Sequence, residues 1–86
     1  MNLKETIADR LDMPKDAVLD VSKLIITGNR EIYIENYKGI AEYTTETVRL
    51  GTGTGIIQLK GESLVIKSIG TDEITLSGKI KSVEFV

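Results

Sequence analysis

The chain has 86 residues, no His, Cys or Trp, and a formal net charge of −2 from eleven basic and thirteen acidic side chains. The lack of cysteine excludes disulfides and thiolate metal sites and fits a reducing compartment. The lack of a basic excess argues against a nucleic-acid-binding face.

A chain of this size folds as one domain, residues 1–86. It buries only about 60–65% of its unfolded surface, so self-association or a partner would add to a marginal stability. The N-terminal run Met1-Asn2-Leu3-Lys4-Glu5 carries no signal-peptide apolar core. No apolar run approaches the ~20 residues that cross a bilayer. The expectation is a protein without a membrane span, attached to a membrane only through something else.

Residues 2–12 read as a helix, within an N-terminal segment of residues 1–13. Leu3, Ile7 and Leu11 recur at i, i+4 and i+8 and form one apolar stripe. Asn2 is placed to cap it, with Glu5 three residues on as in a capping box, and Pro14 ends it. Residues 15–22 connect the helix to a β domain over residues 23–86.

Eight short strands follow: 23–27, 31–36, 40–44, 47–50, 56–60, 63–69, 73–77 and 79–86. Glycine-containing turns separate most of them, at Gly28-Asn29, Lys38-Gly39, Gly51–Gly55, Gly61-Glu62, Gly70–Asp72 and Gly78. A two-residue turn at Gly61-Glu62 would pair Leu59 with Leu64 and Ile57 with Ile66. The turn at Gly70–Asp72 sets Leu76 opposite Ile66. Pairing across the glycine loop sets Leu50 opposite Ile57 and Val48 opposite Leu59. A slip of one residue would expose each of these side chains, so the register is well specified. In the last strand Ile80 lies three residues from Val83, which predicts a bulge near Lys81-Ser82 that returns Val83 and Phe85 to the core.

The fold expected is mainly β: a short N-terminal helix and a mostly antiparallel meander of seven or eight strands, closing as a sandwich or small barrel. Its core would comprise Leu24, Ile26, Ile32, Ile34, Val48, Leu50, Ile57, Leu59, Leu64, Ile66, Ile74, Leu76, Ile80, Val83 and Phe85. The echo of Ile57-Gln58-Leu59-Lys60-Gly61 in Ile74-Thr75-Leu76-Ser77-Gly78 leaves a β-solenoid-like stack as the alternative, although two copies fall short of the three a solenoid needs.

The chemistry-bearing motifs reduce to ordinary surface features. Gly51-Thr-Gly-Thr-Gly55 resembles a phosphate loop, but no Lys-Ser/Thr pair or helix follows it, so it reads as a hairpin. Glu35 and Glu42, expected near one another across a Lys38-Gly39 hairpin, lie on the polar face, where neither carboxyl would gain the raised pKa of a catalytic acid. Lys60, Lys67, Lys79 and Lys81 read as edge and face lysines that discourage sheet aggregation. No catalytic, metal or cofactor-binding residue is assigned, and a non-enzymatic role is expected.

Tyr33, Tyr37 and Ile40 stand out. The alternation that buries Ile32, Ile34, Ala41 and Tyr43 turns these three to the opposite face. An apolar patch there is either covered by another element or is a contact surface. Together with the helix stripe of Leu3, Ile7 and Leu11, they form the predicted partner interface.

Four segments carry a family resemblance: residues 11–20 (LDMPKDAVLD), Tyr33–Ile40 with Glu42-Tyr43-Thr44, Gly61–Ile69, and Gly78-Lys79-Ile80 with Val83-Glu84-Phe85. Across essentially the whole chain they resemble the YabP/YqfC-type sporulation proteins, and within them the YqfC branch. The glycine-rich loop at 51–55 has more glycine than that pattern leads one to expect. The resemblance implies a factor in endospore formation made in the mother-cell programme. It implies a cytoplasmic, mother-cell-side protein, held at the forespore membrane by an integral membrane sporulation protein. A homo-oligomer is a further expectation. A β module that recognises a lipid headgroup or glycan is the alternative function.

Overall fold

Residues 20–86 are described by the structure, a computed structural model. They form one six-stranded sheet from β1 (Lys23–Thr27), β2 (Glu31–Glu35), β3 (Tyr37–Tyr43), β4 (Thr47–Thr52), β5 (Gly55–Ile69) and β6 (Glu73–Phe85). The strand order is β1-β2-β6-β5-β4-β3, and every neighbouring pair is antiparallel. The expected helix over residues 2–12 lies outside the described residues.

The mainly β, antiparallel expectation holds, and a meander runs from β3 to β6. The strand count does not match. Gly61-Glu62 and Gly78 are bends inside two long strands rather than turns, so four predicted strands fuse into β5 and β6. The predicted pairs Leu59–Leu64 and Ile57–Ile66 therefore do not form. At the bends the two backbones nearly touch. A Cβ on Gly61 would collide with the Lys79 carbonyl, and one on Gly78 (φ +139°) with the Ser63 carbonyl. Glycine is required because no side chain fits between the strands.

The bends divide the sheet into two halves joined by continuous strands. β2 pairs only with Glu73–Ser77 of β6, and β4 only with Gly55–Lys60 of β5. The halves share one core: Ile32 and Ile34 of β2 belong to the same buried cluster as Val48 and Leu50 of β4. The sheet is nevertheless not closed as a sandwich or barrel. β2 and β3 are not hairpin partners, so β1 and β3 end the sheet on opposite sides. Nor is it a solenoid-like stack, since no strand pair is parallel.

The crossing from β2 to β3 turns on Asn36, whose φ of 62° is left-handed. The amides of Asn36 and Tyr37 both donate to the Asp72 carbonyl, at 2.7 and 3.2 Å. Lys38-Gly39, expected as a turn, lies within β3. Glu35 and Glu42 consequently do not face each other across a hairpin, and Glu42 lies 4.0 Å from Arg49 instead.

Where the sequence pattern was unambiguous, the register follows it. Leu50 stands opposite Ile57, Val48 opposite Leu59, and Ile66 opposite Leu76. The bulge in β6 falls at Lys81, with Lys60 paired to Ser82 and Gly61 to Ile80. Ten of the expected core residues are buried, and Leu24, Ile66 and Val83 pack against them. Phe85 and Ile26 depart from expectation, at 77% and 49% exposed. Phe85 stands opposite Ile57, but among the described residues no strand lies on the other side of that stretch of β6, so the bulge does not return it to the core. Ile26 lies on β1, the end of the sheet.

Candidate interaction surface

Two register shifts in β3, between Tyr37 and Gly39 and between Ile40 and Glu42, reset the alternation of its side chains. Each bulge inserts an unpaired residue and so reverses which face the following side chains occupy. Tyr37, Ile40 and Tyr43 consequently share the core face with Leu50 and Val48, their cross-strand neighbours being Thr52, Leu50 and Val48 respectively.

This overturns part of the predicted patch. Tyr37 is only 8% exposed and belongs to the core cluster. Ile40 is on the core face too, but at the rim of the sheet, 41% exposed. Ala41 and Tyr43, expected inside, are exposed. Tyr43 leans over the rim and donates from its hydroxyl to the Leu64 carbonyl at 3.0 Å. Tyr33 alone sits where the alternation of β2 placed it, between buried Ile32 and Ile34 and facing outward. Leu3, Ile7 and Leu11 lie outside the described residues.

Around Tyr33 the outer face has a distinct chemistry. Its cross-strand neighbours are Ile25 on β1 and Thr75 on β6. Its hydroxyl donates to Glu35 Oε1 at 3.0 Å. That bond, with the negative charge of Glu73 and Asp72 nearby, raises the phenol above its ordinary pKa. A hydrogen bond with Asp72, reinforced by repulsion between the two carboxylates, pushes the Glu73 carboxyl up as well. This is an apolar row with an acidic end.

The lysines of the late strands make no basic stripe. Lys67 pairs with Glu31 at 3.1 Å, and Glu62 takes both Lys81 at 3.0 Å and Lys79 at 3.9 Å. The hydrogen bond and charge of Lys81, with the charge of Lys79, hold the Glu62 carboxyl below its usual range. The glycine loop is a tight hairpin whose ladder continues to Thr52 and Gly55. The Thr52 hydroxyl caps it by donating to the Gly55 carbonyl at 2.9 Å. Among the described residues no group of three or more acidic side chains is placed to hold a metal ion. No helix among them is long and apolar enough to cross a membrane.

The exposed apolar side chains that the sequence reading missed as a surface include Ile25 and Ile26 on β1, Tyr43 on β3, Val65 within β5, and Ile69 and Phe85 near the ends of β5 and β6. Their signal was present in Leu24-Ile25-Ile26, a run without alternation in a strand of five residues.

The fold is an open, bent antiparallel β module whose apolar residues emerge along its edges. The YabP family model matches residues 19–86, and the chain belongs to that family. It is 33% identical over 84 residues to the uncharacterized protein YqfC of Bacillus subtilis (strain 168), which spans 98% of this chain and 90% of that protein. No solved structure matches it significantly.

Proposed function

We propose that this chain is a non-enzymatic factor in endospore formation that works through protein contacts on the mother-cell side of the forespore envelope. Its partner is an integral membrane protein of the same process. The observation that carries the proposal is the run of core-face side chains left at the rim of β3, where Ile40 and Tyr43 stay accessible beside a closed-packed interior. Apolar groups at a rim, with aromatic area among them, are the usual anchors of a protein interface. Membership of the YabP family supports the cellular setting.

The test is reconstitution with membranes from sporulating cells. Wild-type chain added to these membranes should sediment with them and cross-link to one integral membrane protein. Ile40→Ser combined with Tyr43→Ser should abolish both while leaving the circular dichroism unchanged. Equal binding to protein-free liposomes would defeat the reading and favour recognition of a lipid headgroup.

A further inference from the structure

The edges of this sheet are not equivalent. β3 carries two register shifts. The outer part of β5 carries shifts on either side of Val65, and the outer part of β6 bulges at Lys81. Bulges and lysines at an edge block the approach of another strand, and Lys38, Lys67, Lys79 and Lys81 lie on these segments. Among the described residues, β1 has no such shift, and its single lysine, Lys23, stands at its first position. It is paired with β2 from Lys23 to Thr27 without a shift, and its two central residues, Ile25 and Ile26, are about half exposed, at 48% and 49%.

The direction of its free backbone groups follows from the hairpin. The Arg30 amide donates to the Thr27 carbonyl, so Thr27 turns its polar groups toward β2. In a strand these directions alternate, so Ile25 and Lys23 also face β2, while Leu24 and Ile26 present N–H and C=O to the outside. Residues 20–22, just ahead of β1, turn away from this edge. Asn36 Nδ2 donates to the Val21 carbonyl at 3.0 Å and to Asp20 Oδ1 at 3.2 Å, and the Ser22 hydroxyl donates to the Asn36 carbonyl. These bonds hold residues 20–22 at the β2–β3 junction, on the far side of β1 from its free edge.

We propose that β1 pairs with β1 of a second copy, antiparallel about a two-fold axis through Ile25, so that two sheets continue as one. The sequence Lys23-Leu24-Ile25-Ile26-Thr27 is self-complementary in this register. Leu24 lies opposite the partner's Ile26 on the core face, Ile25 opposite its own copy on the outer face, and Lys23 opposite Thr27. Shifts by two residues keep the faces matched but pair only three residues of β1, and shifts by one set core-facing residues against outer-facing ones. In the centred register all four free backbone groups of Leu24 and Ile26 are satisfied, and the two cores become continuous over the exposed Ile26. No like charges oppose each other. The partner is therefore an identical chain, and the inference stands apart from the sporulation reading.

Residues whose polar groups face away from each other form the close, non-hydrogen-bonded pair, with Cα atoms about 4.5 Å apart, within the disulfide range of about 4.4–6.8 Å. The chain has no cysteine, which permits a clean test. Sedimentation of the wild-type chain should show a concentration-dependent dimer. Ile25→Cys should oxidise to a covalent dimer, whereas Lys23→Cys, displaced from its own copy by four residues, should not. Ile26→Pro removes an amide that faces only the partner, so it should give a folded monomer. A wild-type chain that stays monomeric at every attainable concentration overturns the proposal. So does a dimer that survives Ile26→Pro, or cross-linking of Lys23→Cys as efficient as that of Ile25→Cys.

Discussion

The phenol of Tyr43 and the carbonyl of Leu64 meet at 3.0 Å across 21 residues of chain. The bond ties the end strand β3 to the bend of β5, where the Leu64 amide is also held, by the Thr45 carbonyl at 2.8 Å. Tyr43→Phe keeps the apolar ring and deletes only this bond. It should lower stability by about 1 kcal/mol, the usual net worth of one hydrogen bond. Urea unfolding with an unchanged m-value would show it. No change in the midpoint would mean that solvent replaces the bond without cost.

Tyr33 and Tyr37, which share the predicted patch, should separate on mutation. Tyr37→Ser opens a void in the buried cluster and should cost about 3–5 kcal/mol, the range for a large aromatic truncated in a core. Tyr33→Ser, on the outer face, should stay within about 1 kcal/mol of wild type. Thermal melts of both variants decide this. Equal losses would mean that Tyr33 is covered in the intact protein.

Gly61→Ala and Gly78→Ala should each destabilise by at least about 1–3 kcal/mol, because the added methyl meets backbone rather than a yielding side chain. Gly78→Ala carries the further strain of a left-side φ. A substitution at Gly51, where a Cβ would meet only ordinary contact with the Gly39 carbonyl, serves as control. If all three variants melt alike, the close approach at the bends is relaxed in solution.

Acidity should act on Glu73 and Glu62 in opposite directions. The raised pKa of Glu73 means that the folded chain holds this proton more tightly than the unfolded chain. Its contribution therefore falls as pH rises from the ordinary value of 4.5 through the raised one. Glu73→Gln should raise the melting temperature near neutral pH, and the gain should vanish below about pH 4. Glu62 has a lowered pKa, so its ion pairs with Lys79 and Lys81 contribute above the ordinary value and are lost as pH falls through the folded one. Glu62→Gln should lower the melting temperature at neutral pH. Glu62 is exposed and Glu73 only half-buried, so the shifts should be small and should shrink in salt. A loss of stability in Glu73→Gln at neutral pH would contradict the assigned direction.

Much of the fold was legible because alternation and turns agree along β4, β5 and the start of β6. The pairing of Val48 with Leu59 and of Leu50 with Ile57 followed from one hairpin, and the Ile80–Val83 spacing announced the bulge at Lys81. The miscounted strands have one cause. A glycine signals either a reversal or a bend, and only the partner strand distinguishes them. At Gly61 and Gly78 the partner is the other bent strand, so a local reading produced two extra turns. The candidate surface failed on β3 for a related reason. Tyr37, Ile40 and Tyr43 are spaced by three, the same signature of bulging that was recognised in β6. Applied there, it would have moved Tyr37 into the core and Tyr43 to the rim. The crossing at Asn36 had no comparable local signal, since it depends on the distant Asp72 carbonyl.

The pairing of β2 with β6 also sets a timetable for synthesis. β2 is the second of the six strands to be made, and its inner neighbour, β6, is the sixth. Until Glu73–Ser77 emerges, Ile32 and Ile34 have no strand to close over them on that side. β5 and β6 each run through both halves, so neither half can mature alone. Folding of the sheet therefore waits for β6, and is expected to be slow for its length and all-or-none.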